Sequence, residues 1–341
     1  MESIYCTLYN SKYLDKGLVL YDSLYNSIDV FKLYVLCMDD KCFEVLSSLK
    51  QPNHIPIKLE DFESGDEELI KAKGNRSIGE YCWTCTSSLI LYILRKFNHE
   101  ICTYIDADMY FYSNPQVLID EMLLAGKSVI VVPHRFSRER KEEEKTVGKY
   151  CVEFNTFMNN KEGLEVLHYW RNRCLEQCSQ EPDGVHWGDQ KYLEEFEKHF
   201  SCIHVCSNLG AGIAPWNIEQ YRDFNNDTLY SPLANDRVKL IFIHFASILY
   251  ITNSLINTTI CVRKGLDFKL VNSLYKKYLI ELSTKKHFLK EKFGIETLIK
   301  RHPVSKGKRT IKQRISSSYL LAVIRAKYRV FIYGHTYYIS L

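Results

Sequence analysis

Alternating apolar strands and amphipathic helices over the first hundred residues predict an α/β fold with a mostly parallel central sheet. A second observation marks its working end. The short apolar, β-branched run Ile101–Ile105 stops at two carboxylates one residue apart, Asp106 and Asp108. Carboxylates ending a buried strand are costly unless they are paired or bound to a cation. In an open α/β sheet that end is also where ligands bind. The third observation is negative. No Gly-x-Gly-x-x-Gly follows the first strand and no Walker pattern occurs, so a dinucleotide or P-loop site loses its main support.

Residues 3–8 have a strand pattern, and residues 10–13 read as the loop beyond it. Leu14, Leu18, Tyr21, Leu24 and Tyr25 then recur at helical spacing. A second strand over 31–37 ends at Asp39-Asp40, and a helix over 43–49 leads to a third strand over 55–59. Residues 61–76 are polar and predict a surface loop carrying Lys71, Lys73 and Arg76. The helix expected over 77–97 opens on Ser77 and Glu80 in capping-box spacing, so Glu80 reads equally as a cap or a substrate contact. After the central strand come the aromatic stripe Tyr110, Phe111, Tyr112 and the turn Ser113-Asn114-Pro115.

A helix over 117–124 and a strand over 128–132 precede Pro133-His134-Arg135, where His134 reads as a site residue or a surface histidine. The charge-dense run 137–149 predicts a solvated helix or loop, with a lid as the functional alternative. A strand over 152–158 carries Asn155, and helices over 163–178 and 189–200 flank a turn at 184–190. After a strand over 202–207, Gly210 and Gly212 permit close backbone approach to a ligand. The last clear strand, 238–245, carries His244 near its end. Past Gly265 the pattern turns to mixed helices. The expected division is therefore a main α/β unit over 1–262 and a basic, aromatic, mainly helical C-terminal appendage over 263–341.

Apolar residues make up 46% and charged residues 25%, enough for a real core and inconsistent with disorder. A net charge of only +4 excludes a chain that binds nucleic acid electrostatically as a whole, and no nucleic-acid motif appears. Basic surface is local. Arg301, Lys306, Lys308, Arg309, Lys312 and Arg314 have no acid among them, and Arg325, Lys327 and Arg329 interleave with aromatics in the tail. That pattern suits peripheral docking on anionic lipid, or a helical appendage packed on the core. The twelve cysteines lie largely in apolar segments as small hydrophobes do. Cys82 and Cys85 have CxxC spacing without a second pair to complete a zinc site. With no signal-like region after Met1, a reducing, cytoplasmic protein is expected. Residues 240–256 are apolar but short for a span and interrupted by His244, Ser247, Thr252, Asn253 and Ser254. A buried strand and loop is expected there instead.

Together these stretches resemble the GT-A nucleotide-sugar glycosyltransferases, and especially the glycosyltransferase family 8-like group, over about residues 4–245. The opening Cys6-Thr-Leu-Tyr-Asn-Ser-Lys-Tyr13 looks like the strand and loop that hold the nucleotide base, which implies donor contacts from Thr7 and Tyr13. Ile105-Asp-Ala-Asp108 is similar to the metal-binding Asp-x-Asp, Asp189-Gln190 to the Asp-Gln element on the sugar and acceptor side, and Ile243-His-Phe245 to the late His-Phe that supplies a third metal ligand. A glycine and Lys-Pro-Trp often follow that His-Phe in the family. Here Ala246-Ser247-Ile248 follows, and the earlier Ala214-Pro-Trp-Asn217 does not substitute for it.

The resemblance implies a GT-A fold over 1–262 and transfer from a nucleotide-diphospho-sugar, most simply a UDP-sugar, to a glycan or lipid-linked acceptor with retention of configuration. Asp106, Asp108 and His244 offer two oxygens and a nitrogen, a set compatible with Mn²⁺ and less typical of Mg²⁺. A divalent ion bridging the phosphates stabilises the charge that grows on the leaving group. Asn155, Asp189 and Gln190 are candidates to hold sugar hydroxyls or stabilise an oxocarbenium-like centre. Arg76 and Lys73 are candidates for phosphate, and Trp83, Trp187 and Trp216 for sugar stacking or plain packing. Two rivals stand beside this reading. A sugar nucleotidyltransferase needs a Gly-rich loop that Leu8-Tyr9-Asn10-Ser11 lacks, and a non-catalytic sugar- or lipid-binding protein keeps the fold without turnover.

Overall fold

The computed structural model describes residues 2–181, 186–252, 255–261, 266–297, 330–333 and 336–340. The chain begins with β1 (Ser3–Tyr9), α1 (Leu14–Ser27), β2 (Phe31–Cys37), α2 (Asp40–Leu49) and β3 (His54–Lys58). Next come α3 (Leu59–Glu63), α4 (Glu67–Lys73), α5 (Ile78–Lys96), β4 (Ile101–Ile105) and β5 (Met109–Phe111). The middle holds α6 (Gln116–Leu124), β6 (Val129–Pro133), α7 (Glu144–Val147), β7 (Tyr150–Met158), α8 (Lys161–Glu176), α9 (Phe196–His199) and β8 (Ile203–Val205).

The central sheet runs β3-β2-β1-β4-β7-β6-β8. Strands β3, β2, β1 and β4 are mutually parallel, as are β6 and β8, while β7 runs antiparallel to both its neighbours. Successive connections leave β1 toward β2 on one side and reach β4 on the other. The carboxyl ends of β1 and β4 therefore border a topological switch point, where a crevice opens in sheets of this type. One face is covered by α5 and α8, through Leu89, Ile93, Leu94, Val166 and Trp170. The other is covered by α1, α2 and α6, through Leu14, Leu18, Val45, Leu118 and Met122. Both faces of the sheet are thus apolar, which is why its strands read as near-continuous hydrophobic runs.

Residues 61–76 and 238–245 differ from the sequence expectation, and the helix expected over 189–200 is a 3-10 turn (Lys191–Glu195) followed by the four-residue α9. Residues 61–76 are not a loop, because α3 and α4 occupy most of them. Asp66 accepts from the Leu69 amide (3.1 Å) as a helix cap, Glu67 and Glu68 fill the first turn of α4, and Lys71 and Lys73 its last, so its charges follow the helix dipole. The strand expected over 238–245 is two strands in two sheets. Strands β9 (Arg222–Asn225), β10 (Thr228–Ser231) and β11 (Asp236–Lys239) form a small meander, and β12 (Phe242–His244) pairs instead with β5. Asn226 and Asp227 both have positive φ (47° and 54°) and make the tight two-residue hairpin between β9 and β10.

β13 (Leu249–Thr252) and β14 (Leu255–Cys261) follow as an antiparallel pair, then the long α10 (Phe268–Phe293). Asp267 caps α10 through the Lys269 and Leu270 amides, and Gly294 ends it in the left-handed region (φ 66°). Leu270, Leu274, Tyr278 and Leu282 join Val19, Tyr110 and Ile243 in one cluster, and Phe245 stacks flat on Tyr278 at 3.9 Å. Packing therefore continues across residue 262. Where a mainly helical extension is expected, the described end of the chain also holds the hairpin β15 (Val330–Tyr333) and β16 (Thr336–Ser340), with β16 paired to β14. The basic run 301–314 and Arg325, Lys327 and Arg329, whose pattern suits membrane docking, lie outside the described residues. Among the described residues, no helix is long and apolar enough to cross a membrane.

Trp170 ties this core to the loop that carries Asp189. It is fully buried, stacks on Phe157 (5.9 Å) and donates its indole N–H to the Asp189 carbonyl at 2.8 Å. Trp170→Phe leaves that carbonyl without its donor. We expect a loss of about 1–3 kcal/mol in stability, measured by urea unfolding.

Candidate active site

β4 delivers Asp106 at the switch point, and the Asp106 amide donates to the Glu153 carbonyl of β7 (3.1 Å), fixing the first carboxylate against the sheet. A tight turn, closed by Met109 N–H on the Asp106 carbonyl (3.3 Å), presents Asp108 and starts β5. Because β12 pairs with β5, His244 lies opposite Met109, and the Phe245 amide donates to the Asp108 carbonyl (2.9 Å). Backbone pairing thus carries a histidine 136 residues away onto the carboxylates. Its Nε2 is 3.0 Å from Asp108 Oδ1 and 3.6 Å from Asp106 Oδ2, and its Nδ1 is 2.8 Å from Glu153 Oε2. Lys16, in the first turn of α1, brings its ammonium to 3.4 Å from Asp108 Oδ2 and over the Tyr13 ring at 4.2 Å.

Charge follows from this geometry. Burial works to lower the His244 pKa, but hydrogen bonds and attraction from Asp108, with help from Cys151 and Glu153, hold it well above the usual histidine value. Asp108 is pushed up by burial yet held well below the usual carboxylate range by Lys16 and His244. Asp106 has no such pair of cations. Burial raises it to about 6, His244 offsets part of this, and Asp108 and Glu153 add to the rise. Three carboxylates, Asp106, Asp108 and Glu153, therefore face two cations, His244 and Lys16.

Several expected residues converge here. Asn155 sits opposite Tyr104 in the β4–β7 ladder, and the Tyr104 hydroxyl donates to Asp106 Oδ1 (3.1 Å). Asp189 is buried, and its carboxyl is raised to about 7 by burial, with Asp106 adding repulsion and a Thr86 hydrogen bond working the other way. Trp216 meets His244 edge to face at 5.5 Å, and His134 meets Trp216 at 5.1 Å. His134 is buried, and burial pushes its pKa down to about 3, so it is a neutral group inside the crevice wall and not a surface histidine. Thr7 is buried near the end of β1, and Tyr13 borders the site through Lys16.

Other expected residues are engaged elsewhere. Arg76 donates to the Leu175 carbonyl at the end of α8 (3.3 Å), and Lys73 pairs with Glu63 (2.8 Å). Glu80 completes the capping box of α5 and accepts from the Gln180 amide (3.0 Å), so it is a cap. Gln190 donates to the Val147 carbonyl (2.7 Å), and Trp83 packs on Gly188. The two loop glycines, expected to permit close ligand approach, both pack against other parts of the chain. A Cβ on Gly210 would sit 1.8 Å from the Lys239 carbonyl oxygen, and one on Gly212 (φ 71°) 2.8 Å from Val132.

Sequence reasoning missed Lys16 and Glu153. The signal for Glu153 was a lone charge inside the otherwise uncharged strand β7, two residues from Asn155 and so on the same face. Lys16 left no such signal, because it lies off the apolar stripe of α1.

Around these carboxylates, Thr7 Oγ1, His134 Nδ1, Glu153 Oε1, Asn155 Oδ1, Asp189 Oδ2, Trp216 Nε1 and Tyr275 OH are buried without a hydrogen-bond partner. Buried polar groups are normally satisfied, so these atoms are free to bond a polar ligand. Two carboxylates and an imidazole also fit a hard divalent cation. Cys151, Glu153 and His244 bring ligating atoms within 4.8 Å of one another as well, with burial pushing the Cys151 thiol up.

No family model matches the chain. YfnD of Bacillus subtilis strain 168, an uncharacterized protein, is 31% identical over 281 residues, 82% of this chain and 88% of YfnD. The chain belongs to the YfnD family. YfnF of the same organism, also uncharacterized, is 31% identical over 255 residues, 72% of this chain and 82% of YfnF. Among solved structures, galactosyltransferase LgtC in complex with donor and acceptor sugar analogs matches with a TM-score of 0.50 at 13% identity, over 83% of this chain and 96% of LgtC. This YfnD-family chain therefore has the GT-A fold, with a mostly parallel sheet between helical layers.

The raised Asp189 pKa has a thermodynamic consequence. Its folded value of about 7 lies above the ordinary 3.8, so the folded chain binds this proton more tightly. Its contribution to stability is full below about pH 4 and is lost as pH rises toward 7. Asp189→Asn removes that dependence. Comparing urea midpoints at pH 5 and pH 8, we expect the variant to gain on the wild type at the higher pH.

Proposed function

We propose that the protein is a metal-dependent glycosyltransferase of the family 8-like type. It moves a sugar from a nucleoside-diphosphate sugar, with UDP-sugars first to be tested, to a glycan or lipid-linked acceptor. The observation that carries this reading is the meeting of Asp106, Asp108 and His244 at the β1/β4 switch point, ringed by buried polar atoms that no protein group satisfies. The GT-A fold supports the same reading.

Asp106, Asp108 and His244 would hold the cation, Mn²⁺ or Mg²⁺, which supplies Lewis-acid stabilisation of the departing diphosphate. Glu153 accepts from His244 Nδ1–H and so leaves Nε2 free to act as a ligand once Asp108 no longer holds its proton. Asp189 and Asn155 lie on the β4–β7 side with unpartnered oxygens, suited to sugar hydroxyls and, for ionised Asp189, to positive charge at the anomeric carbon. Trp216 and His134 add rings beside His244, with Trp216 Nε1 and His134 Nδ1 unpartnered and so able to bond a polar ligand. The family 8-like resemblance favours retention of configuration, which proton NMR of the anomeric products tests directly.

Calorimetry with UDP provides the main test. Binding is expected with Mn²⁺, lost in EDTA and lost in Asp108→Ala, and UDP-sugar hydrolysis should need the same ion. Metal-independent binding would remove the metal from the mechanism, and preference for GDP, dTDP or CMP would change the donor. Glu153→Gln keeps the shape of the site but removes the charge behind His244. We expect Mn²⁺ affinity to fall by about tenfold or more, with the fold intact by circular dichroism.

A further inference from the structure

Lys16 is placed where three costs meet. It is 5% exposed, so its ammonium is largely stripped of water. It stands in the first turn of α1, where the helix dipole opposes a positive charge. It also occupies Asp108, a carboxylate proposed above as a metal ligand. The contacts that offset these costs are Asp108 Oδ2 at 3.4 Å, the face of Tyr13, and the neighbouring buried Asp15. Asp15 has other partners, since it accepts from the Tyr250 hydroxyl (3.1 Å) and from the Lys16 amide (3.0 Å). Asp108 is therefore the counter-ion of the Lys16 ammonium, and it is also the carboxylate a metal needs.

These two demands on one carboxylate conflict. A cation on Asp108 repels an ammonium 3.4 Å from the same group. Lys16, once released, needs a new anion within reach, because a buried unpaired ammonium is strongly unfavourable. The segment after His244, Ala246-Ser247-Ile248, contains no cation that could meet a diphosphate. Among the residues expected to do so, Arg76 and Lys73 are engaged elsewhere.

Resting on the donor-site reading above, we propose that Lys16 is a phosphate-binding residue for the donor's diphosphate, held on Asp108 until metal and nucleotide arrive. It occupies the cation site in the free protein and turns to a phosphate oxygen in the loaded one. A purely structural lysine would act differently. Its loss would weaken metal and nucleotide binding together, by loosening Asp108.

The test reads two affinities of opposite expected sign in Lys16→Met. Calorimetry with Mn²⁺ alone should show binding several-fold tighter than in wild type, because the competing ammonium is gone. Calorimetry with UDP at saturating Mn²⁺ should show binding about tenfold or more weaker, the usual scale for losing a charge-assisted contact. Lys16→Arg should recover most of the UDP affinity. Should Lys16→Met fail to fold, Lys16→Gln reads the same pair of affinities. Mn²⁺ and UDP affinities that fall together, or a UDP affinity that does not change, overturn the proposal while leaving the donor site standing. A wild type that binds neither Mn²⁺ nor UDP overturns the donor-site reading itself, and this inference with it.

Discussion

The antiparallel pairing of β12 with β5 is the contact on which the candidate site depends. It is only three residues long, with His244 opposite Met109, yet it converts a distant histidine into a neighbour of Asp108. Everything around it holds that register. Tyr112 and Ser113 amides donate to the Ile241 carbonyl, Phe111 packs on Phe242, and Phe245 is clamped by Tyr275 and Tyr278 of α10. A slip of one residue would turn the His244 side chain to the other face and leave Asp106 and Asp108 without it. The helix after residue 262 is therefore part of what positions the site, because its aromatic rings fix the end of β12.

Strand-by-strand reading of the sequence went furthest where burial is two-sided. Runs such as Phe31–Cys37 and Ile101–Ile105 have no polar face, and their order with the helices between them was enough to anticipate a mostly parallel sheet. The Asp-x-Asp was legible for the same reason, since charge stands out against such a run. Short elements were harder. α3 opens on Glu60 and Asp61 and α4 is capped by Asp66, charges that also read as a polar loop, and β9 to β11 lie on the surface with mixed faces. The hairpin signal Asn226-Asp227 was present but sat in a stretch too polar to suggest strands.

Side-chain roles divided along a different line. Residues whose partners are set by sheet register, such as Asn155 and His244, fall where their strands put them. Flexible cations do not. A lysine or arginine near a surface takes the nearest anion or helix carboxyl end, and for Lys73 and Arg76 those were Glu63 and the end of α8. Spacing in the sequence carries no information about that competition. Lys16 is the converse case, a residue with no motif around it that becomes central only because α1 starts beside the turn between β4 and β5.

The site is built at the expense of local stability. Asp189, Asn155 and Glu153 each bury an oxygen without a partner, and each unsatisfied group of this kind costs about 1–3 kcal/mol. A core evolved for stability alone would fill such positions with apolar side chains of similar volume, as Trp170 and Phe157 fill the layer beneath them. Seven such atoms border the crevice at the β1/β4 switch point, and others lie apart from it, such as Ser231 Oγ and Arg173 Nε. At the crevice the scaffold supplies the surplus of burial, and the unsatisfied polar groups there suit the polar ligand proposed above.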